Sequence, residues 1–318
     1  MVKGMRFWWI GFSGWSLGIN YPGGWVPGNT HSECVDICKL HDDLFPSSHY
    51  EEVGLEDATY DYLLLEQLYI PQYCRDLLLG IDYTISHRPV LPFPEGIRCN
   101  VNAVVNELSI HGLWPSNYDG SYLSCCKLSK KLENRPIEPK PFNSTNYNLL
   151  QKMKTQWVDP TQPTAFEALC ELYNHEFQKH GSCFAAGIET VLDVNELSAL
   201  YFNFTIQAVL YVSSASEYIR NLVDASTNAS ISLKNLSAIY PKKIQVFCSN
   251  TYPDHQRLAA IRTCYARPNI LGMGTSDVQI IDCPEASFGG SYSSCDAAKP
   301  ISLLEYFPTR SNLTDYIL

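Results

Sequence analysis

No uncharged apolar run in this sequence reaches the ~18–20 residues that a membrane helix needs. No C-x2-C knuckle occurs, which removes the commonest structural zinc pattern. Basic residues are in deficit: 23 Lys and Arg against 33 Asp and Glu leave a net charge of −10. That balance excludes a protein held on nucleic acid by bulk charge, though not an enzyme that meets RNA in one local cleft. There is no repeat and no low-complexity segment. What is present is globular composition, 45% apolar and 18% charged over 318 residues, enough for one large domain or two small ones.

Cysteine is the residue in surplus. The 12 cysteines are even in number and spread widely, with Cys34-x3-Cys38 the nearest approach to a metal knuckle. This favours disulfides and therefore an oxidising compartment. Asn143, Asn203, Asn228, Asn235 and Asn312 each open an N-x-S/T sequon, in keeping with a glycoprotein of the secretory pathway. At the N-terminus Lys3 and Arg6 precede an uncharged stretch from Phe7 to Ile19. That order resembles the basic and apolar regions of a signal peptide, but Gly11, Ser13, Gly14, Ser16 and Gly18 break it and no clear cleavage site follows. A degenerate signal and a start within a mature N-terminus both stay open.

Residues 1–54 read as an irregular extension stapled on by its two cysteines, and residues 55–318 as the folded domain. Strands are expected at Tyr60–Leu65 (ending near Pro71), Val101–Trp114, Lys243–Phe247, Leu258–Tyr265 and Val278–Asp282. Helices are expected at Leu149–Trp157, Phe166–His180, Val194–Val212, Ala215–Val223 and Ile231–Tyr240. Arg75–Pro94 reads as a loop and Pro136–Pro141 as a turn. Strands interleaved with separate helices predict an α+β fold.

Two segments carry chemistry. In Ile110-His111-Gly112-Leu113-Trp114-Pro115, strand alternation puts Ser109, His111 and Leu113 on one face and Leu108 and Ile110 on the other. In His175-Glu176-Phe177-Gln178-Lys179-His180-Gly181-Ser182-Cys183, helical spacing sets Lys179 at about 40° from His175, Glu176 at about 100° and His180 at about 140°. All four ionisable groups share a face, and Gly181 reads as the helix end. A metal reading is weak: the histidines are five apart, not four as in H-E-x-x-H, and the intervening lysine repels a cation. Two histidines, a cation and a carboxylate suit phosphoryl transfer by acid–base chemistry, with no metal and no cofactor.

These segments resemble the two active-site segments of the ribonuclease T2 family of secreted or vacuolar acid endoribonucleases. The first, I-H-G-L-W-P, is matched in full at 110–115. The second, H-E-W-x-K-H-G-T-C, is matched at 175–183 with Phe177 for Trp and Ser182 for Thr. Tyr60-Asp61-Tyr62 through Gln67 to Tyr73-Cys74 resembles the family's first core strand. Asn117 to Tyr122, Pro241–Cys248, Ile261–Cys264 and Ile280–Pro284 resemble later stretches, so the likeness spans roughly residues 59–307.

The resemblance implies an α+β domain with a central, mostly antiparallel sheet packed by helices and stapled by disulfides. It implies a metal-independent endoribonuclease that cleaves single-stranded RNA to 2′,3′-cyclic phosphates with an acid optimum. By position, His180 is the expected base on the 2′-hydroxyl and His111 the acid for the departing 5′-oxygen. Glu176 and Lys179 would stabilise the phosphorane, His175 would bind phosphate, and Trp114 with Tyr122 would sandwich a base. Ser116 stands where some members carry a base-binding Asp, which implies broad base specificity. DNA, lacking the 2′-hydroxyl, is a poor substrate, and no stable DNA binding is expected. Cys183 is expected to pair with Cys125 or Cys126, Cys170 with a cysteine near the domain start, Cys248 with Cys295, Cys264 with Cys283, and Cys74 with Cys99. Cys34 and Cys38 have no assigned partner. The expected protein is a monomer, extracellular or in a lysosome or vacuole. A secreted recognition or signalling protein on the same fold is the alternative, and a bare RNA-binding module fits the −10 charge poorly.

Overall fold

The structure, a computed structural model, describes residues 34, 36–38, 59–79, 99–126, 134–161, 168–184, 193–252, 255–268, 278–286 and 292–306. Strand β1 (Tyr62–Tyr69) lies inside a sheet of order β2-β1-β5-β4-β7, with β2 Leu108–Ser116, β4 Gln245–Tyr252, β5 His255–Ala266 and β7 Ser293–Ser294. These neighbours all run antiparallel. Two-residue strands β3 (Ser230–Ile231), β6 (Ile280–Ile281) and β8 (Ile301–Ser302) extend the sheet, and among the described residues only the β5–β8 pairing is parallel. The fold is α+β, as the sequence predicts.

Every residue of β1 is buried, because both faces of the sheet are covered. Leu63 and Leu65 join Ile110 and Leu113 in the largest core, against helices α3 (Tyr147–Gln156) and α5 (Val194–Leu210) and a helical segment α4 spanning residues 169–184. Leu68, on the opposite face, packs with Tyr73 and Leu77 of α1 (Ile70–Leu78). Helix α6 (Ser213–Ala225) and the short α7 (Leu233–Ser237) cover the far end of the sheet. Helix α5 starts at a capping box: Asp193 accepts from the Glu196 N–H, and the Glu196 carboxylate accepts from the Asp193 N–H.

Several expected boundaries move. Strand β1 ends at Tyr69 and α1 begins at once, with Pro71 in its first turn where a missing N–H is tolerated. Residues 75–78, expected as loop, are therefore helical. The expected strand from Val101 begins as a 3-10 turn, Val101–Ala103, and is extended only from Leu108. The expected turn at Pro136–Pro141 leads straight into helix α2 (Pro139–Thr145). Ile231 belongs to a strand, and the helix expected there starts at Leu233.

Gly181 does not end its helix, which continues through Ser182–Phe184. A β-carbon at Gly181 would lie 2.8 Å from Phe177 Cδ2 and 2.9 Å from Tyr201 Cδ1. The glycine is there for close packing against α5.

Six disulfides hold the described residues together. Cys34 joins Cys170, and Cys38 joins Cys125, so the N-terminal stretch is fixed at two points. Cys126 joins Cys183, tying the loop after β2 to α4. Cys74–Cys99, Cys248–Cys295 and Cys264–Cys283 complete the set. No helix of the described residues is long and apolar enough to cross a membrane.

Candidate active site

The register of β1 against β2 slips in mid-strand. Glu66 pairs with Gly112 and Gln67 with Ile110, so His111 is an extra residue on β2, a β-bulge. Simple alternation fails at this point. Leu113 pairs with Leu65 and shares the core face with Ile110, whereas Trp114 pairs with Leu64 and shares the opposite face with Ser109. The expected grouping of Ser109, His111 and Leu113 on one face is therefore corrected. The bulge sends His111 toward the face that carries Glu66 and Trp114. Its carbonyl accepts a 2.9 Å hydrogen bond from Trp157 Nε1, and the Tyr201 hydroxyl donates to the Leu113 carbonyl at 3.0 Å. Two fully buried aromatics thus pin the backbone beside the bulge.

Helix α4 brings the second segment alongside. It is π-helical over Leu169–Tyr173 and Phe177–Gly181, so the angles of a regular α-helix do not hold through it. Phe177 still enters the core, while His175, Glu176 and His180 converge. These three buried residues each offer a ligand-capable atom within 4.8 Å of the others, a set that could also hold a divalent ion. Gln178 points away from them: its side chain accepts from the Ile37 N–H at 3.0 Å and donates to Asp36 at 3.2 Å.

The two segments meet at Glu176. One carboxylate oxygen lies 3.5 Å from His111 Nε2, and the other accepts a 2.9 Å hydrogen bond from Trp114 Nε1. The indole stands edge-on to His111 at 5.0 Å between ring centroids and tilted against His180 at 5.5 Å. Tyr122, half-exposed, has its ring 6.2 Å from that of His180. Gly112 is what permits this closeness, since Glu176 and Trp114 occupy the space a β-carbon would need. All seven expected site residues are thus in one neighbourhood: His175 and His180 beside Glu176, Lys179 in electrostatic contact with it, and Tyr122 at the rim.

Burial shapes the electrostatics. It raises the Glu176 carboxyl above the ordinary value; His111, the Trp114 hydrogen bond and Lys179 oppose it only in part. Burial lowers Lys179, with Glu176 pulling the other way. Both groups are thereby shifted toward their neutral forms.

Two further residues, which sequence reasoning missed, join the site from outside both segments. Glu66 accepts from His111 Nδ1 at 2.7 Å and from Arg262 Nε at 2.6 Å. Its burial alone would raise the carboxyl, but Arg262 and His111 outweigh that and hold it at about 2. The Arg262 guanidinium lies 5.5 Å from the Trp114 ring centroid and 4.6 Å from that of Phe247. A carboxylate in the middle of an apolar strand was the available signal for Glu66. Nothing local marks Arg262, which only the β1–β5 register identifies.

The sequence profile of the Ribonuclease T2 family matches residues 60–283. Ribonuclease DdI of Dictyostelium discoideum is 26% identical over 212 residues, covering 64% of this chain and 78% of that protein. Ribonuclease 1 of Arabidopsis thaliana is 29% identical over 250 residues, covering 76% and 86%. Among solved structures, RNase NT in complex with 5′-AMP is 18% identical with a TM-score of 0.47, over 76% of this chain and all of that one. The chain belongs to the ribonuclease T2 family.

Proposed function

We propose that this endoribonuclease cuts single-stranded RNA by transphosphorylation, without a metal ion. His180 removes the 2′-hydroxyl proton, and the 2′-oxygen attacks phosphorus. His111 protonates the 5′-oxygen as the P–O5′ bond breaks, leaving a 2′,3′-cyclic phosphate. The observation that carries this is the meeting of the two segments at one buried carboxylate, with His111 Nε2 3.5 Å from Glu176 and the His180 ring 5.5 Å from the Trp114 indole that bonds the same carboxylate. Glu176 and Lys179 face the phosphorane, and His175 holds a phosphoryl oxygen. A carboxyl raised by burial is in part protonated in mild acid, where it donates to a non-bridging oxygen instead of repelling it. That favours an acid optimum.

Trp114 and Tyr122 stack the base, and stacking tolerates any base. Ser116 contributes no carboxylate here: its hydroxyl donates to the Trp114 carbonyl at 3.1 Å. Broad specificity follows. Residues 55–318 act as one catalytic unit and residues 1–54 as an arm bolted to it. A monomer in the secretory pathway, extracellular, lysosomal or vacuolar, suits the disulfide content. Of the sequons, Asn203, Asn228 and Asn235 are exposed and Asn143 is half-buried, while Asn312 lies outside the described residues.

The test is cleavage of RNA by purified protein at about pH 5 in EDTA. Cyclic-phosphate ends should form, and His111→Ala and His180→Ala should each abolish them. Cleavage that depends on added metal, or that survives both substitutions, refutes the reading.

A further inference from the structure

The expected acid, His111, rests on a buried ion pair that neither active-site segment supplies. Glu66 is fully buried in the middle of β1. The register sets it between Gly112 of β2 and Arg262 of β5, so three adjacent strands supply His111, Glu66 and Arg262 in a row. Both oxygens of Glu66 are engaged, one by His111 Nδ1 at 2.7 Å and one by Arg262 Nε at 2.6 Å. A buried ion pair adds little stability over apolar residues of the same volume, because two charges must leave water. Stability alone is therefore a poor reason for this pair to sit under a histidine whose other nitrogen faces the proposed reaction centre.

We propose that Glu66 is the positioning residue for His111: it accepts the Nδ1–H and so makes Nε2 the one ring atom that delivers a proton. The inference rests on the reading of His111 as general acid. At the start of the step the ring carries hydrogen on both nitrogens. The 2′-oxygen forms its bond to phosphorus, the P–O5′ bond breaks, and the Nε2 proton goes to the 5′-oxygen. The Nδ1–H stays in its bond to Glu66, so the ring is left neutral with its lone pair on Nε2. The opposite tautomer would aim a lone pair at an ionised carboxylate. Arg262 keeps that carboxylate in place and also approaches the Trp114 ring, which links the acid's support to the indole.

The experiment compares the wild-type full chain with Glu66→Gln and with the double variant Glu66→Gln/Arg262→Gln, which strands no buried guanidinium. Each is assayed on a dinucleotide, whose 5′-oxygen needs a proton to depart. Each is also assayed on a nucleoside 3′-(4-nitrophenyl phosphate), whose phenolate departs without one. The dinucleotide kcat should fall about 100-fold with KM little changed, within the ~10²–10⁴ that a positioned acid supplies. The aryl ester should lose less than about fivefold, a pattern shared with His111→Ala. Equal losses on both substrates would mark a merely structural role and overturn the proposal. So would full dinucleotide activity in both variants while His111→Ala is inactive. If His111→Ala itself cleaves the dinucleotide normally, the general-acid reading fails and this inference falls with it. Nitrogen-15 spectra of wild-type histidines give a check free of any variant: neutral His111 must carry its hydrogen on Nδ1, and an Nε2–H tautomer overturns the proposal.

Discussion

Replacing Gly112 with alanine adds a single methyl group, and the site has no room for it. The new carbon would lie 1.9 Å from Glu176 Oε2, 2.7 Å from Glu176 Cδ and 2.4 Å from Trp114 Nε1. Ordinary contact needs about 3.5 Å, so the carboxylate must withdraw by more than about 1 Å. That movement breaks the 2.9 Å Trp114–Glu176 hydrogen bond and changes the 3.5 Å spacing between Glu176 and His111. A 1 Å misplacement of a reacting group can lower a rate about 100-fold, or about 2.7 kcal/mol on the barrier. Loss of one buried hydrogen bond to a carboxylate costs stability by about 1–3 kcal/mol, because the displaced atoms are side-chain ends and the strand pairing is untouched. Gly112→Ala should therefore fold, melt slightly lower in urea, and show kcat on a dinucleotide reduced about 100-fold with a smaller change in KM. A variant that cleaves within about threefold of wild type would show that neither Glu176 nor Trp114 needs its observed position.

Tyr122→Ala should raise KM while leaving kcat closer to wild type, by the ~1–3 kcal/mol that one stacked base is worth; an unchanged KM removes Tyr122 from the base site. Glu66, held at about 2 against an ordinary 4.5, contributes stability that is complete above about pH 4.5 and drains as the pH falls toward 2. That linkage is worth about 3 kcal/mol, so urea midpoints of the wild type should fall over this window more steeply than those of Glu66→Gln; parallel curves would refute it. Joint replacement of Cys126 and Cys183 by serine should lower stability by about 2–4 kcal/mol and should lower activity as well, since their bond closes 57 residues and ties the loop after β2 to the helix that carries Glu176 and His180. Added zinc ion, bridging His175, Glu176 and His180, should inhibit RNA cleavage and EDTA should relieve it; indifference to zinc would mean those atoms do not converge in solution.

What the sequence made legible was chemistry, and what it hid was long-range placement. The two histidine segments could be read because the residue types needed for proton transfer sit within short stretches of chain. Helices α5 and α6 were found within a few residues, since each is a long run, of 17 and 13 residues, that no proline or glycine interrupts. Glu66 and Arg262 escaped because their partnership depends on a strand register between positions nearly 200 residues apart, which no local pattern encodes. Cys34 and Cys38 stayed unassigned because their partners are likewise distant in sequence: Cys170, 136 residues on, lies in α4, and Cys125, 87 residues on, lies in the loop after β2.

A structural irregularity stands at each of the two histidines proposed as acid and base; at His111 it overturns the face expected from alternation, whereas His180 still converges with His175 and Glu176. His111 is the extra residue of a bulge, where a period of two no longer decides which face a side chain joins. His180 lies in a π-helical turn, wider than the 3.6-residue turn assumed in counting angles from His175. A regular strand would set His111 on the same side as Leu113, which belongs to the core. The bulge instead aims its imidazole between Glu66 and Glu176 while Leu113 keeps its place in the core. Both irregularities are held from behind, the first by Trp157 and Tyr201, the second by the Cys126–Cys183 bond and by Asn134, whose amide donates to the Gln178 carbonyl at 3.1 Å. Local departures from ideal geometry persist only where the surroundings over-determine them. The large aromatic core therefore shapes the candidate site: it backs two irregular segments whose side chains converge on one carboxylate.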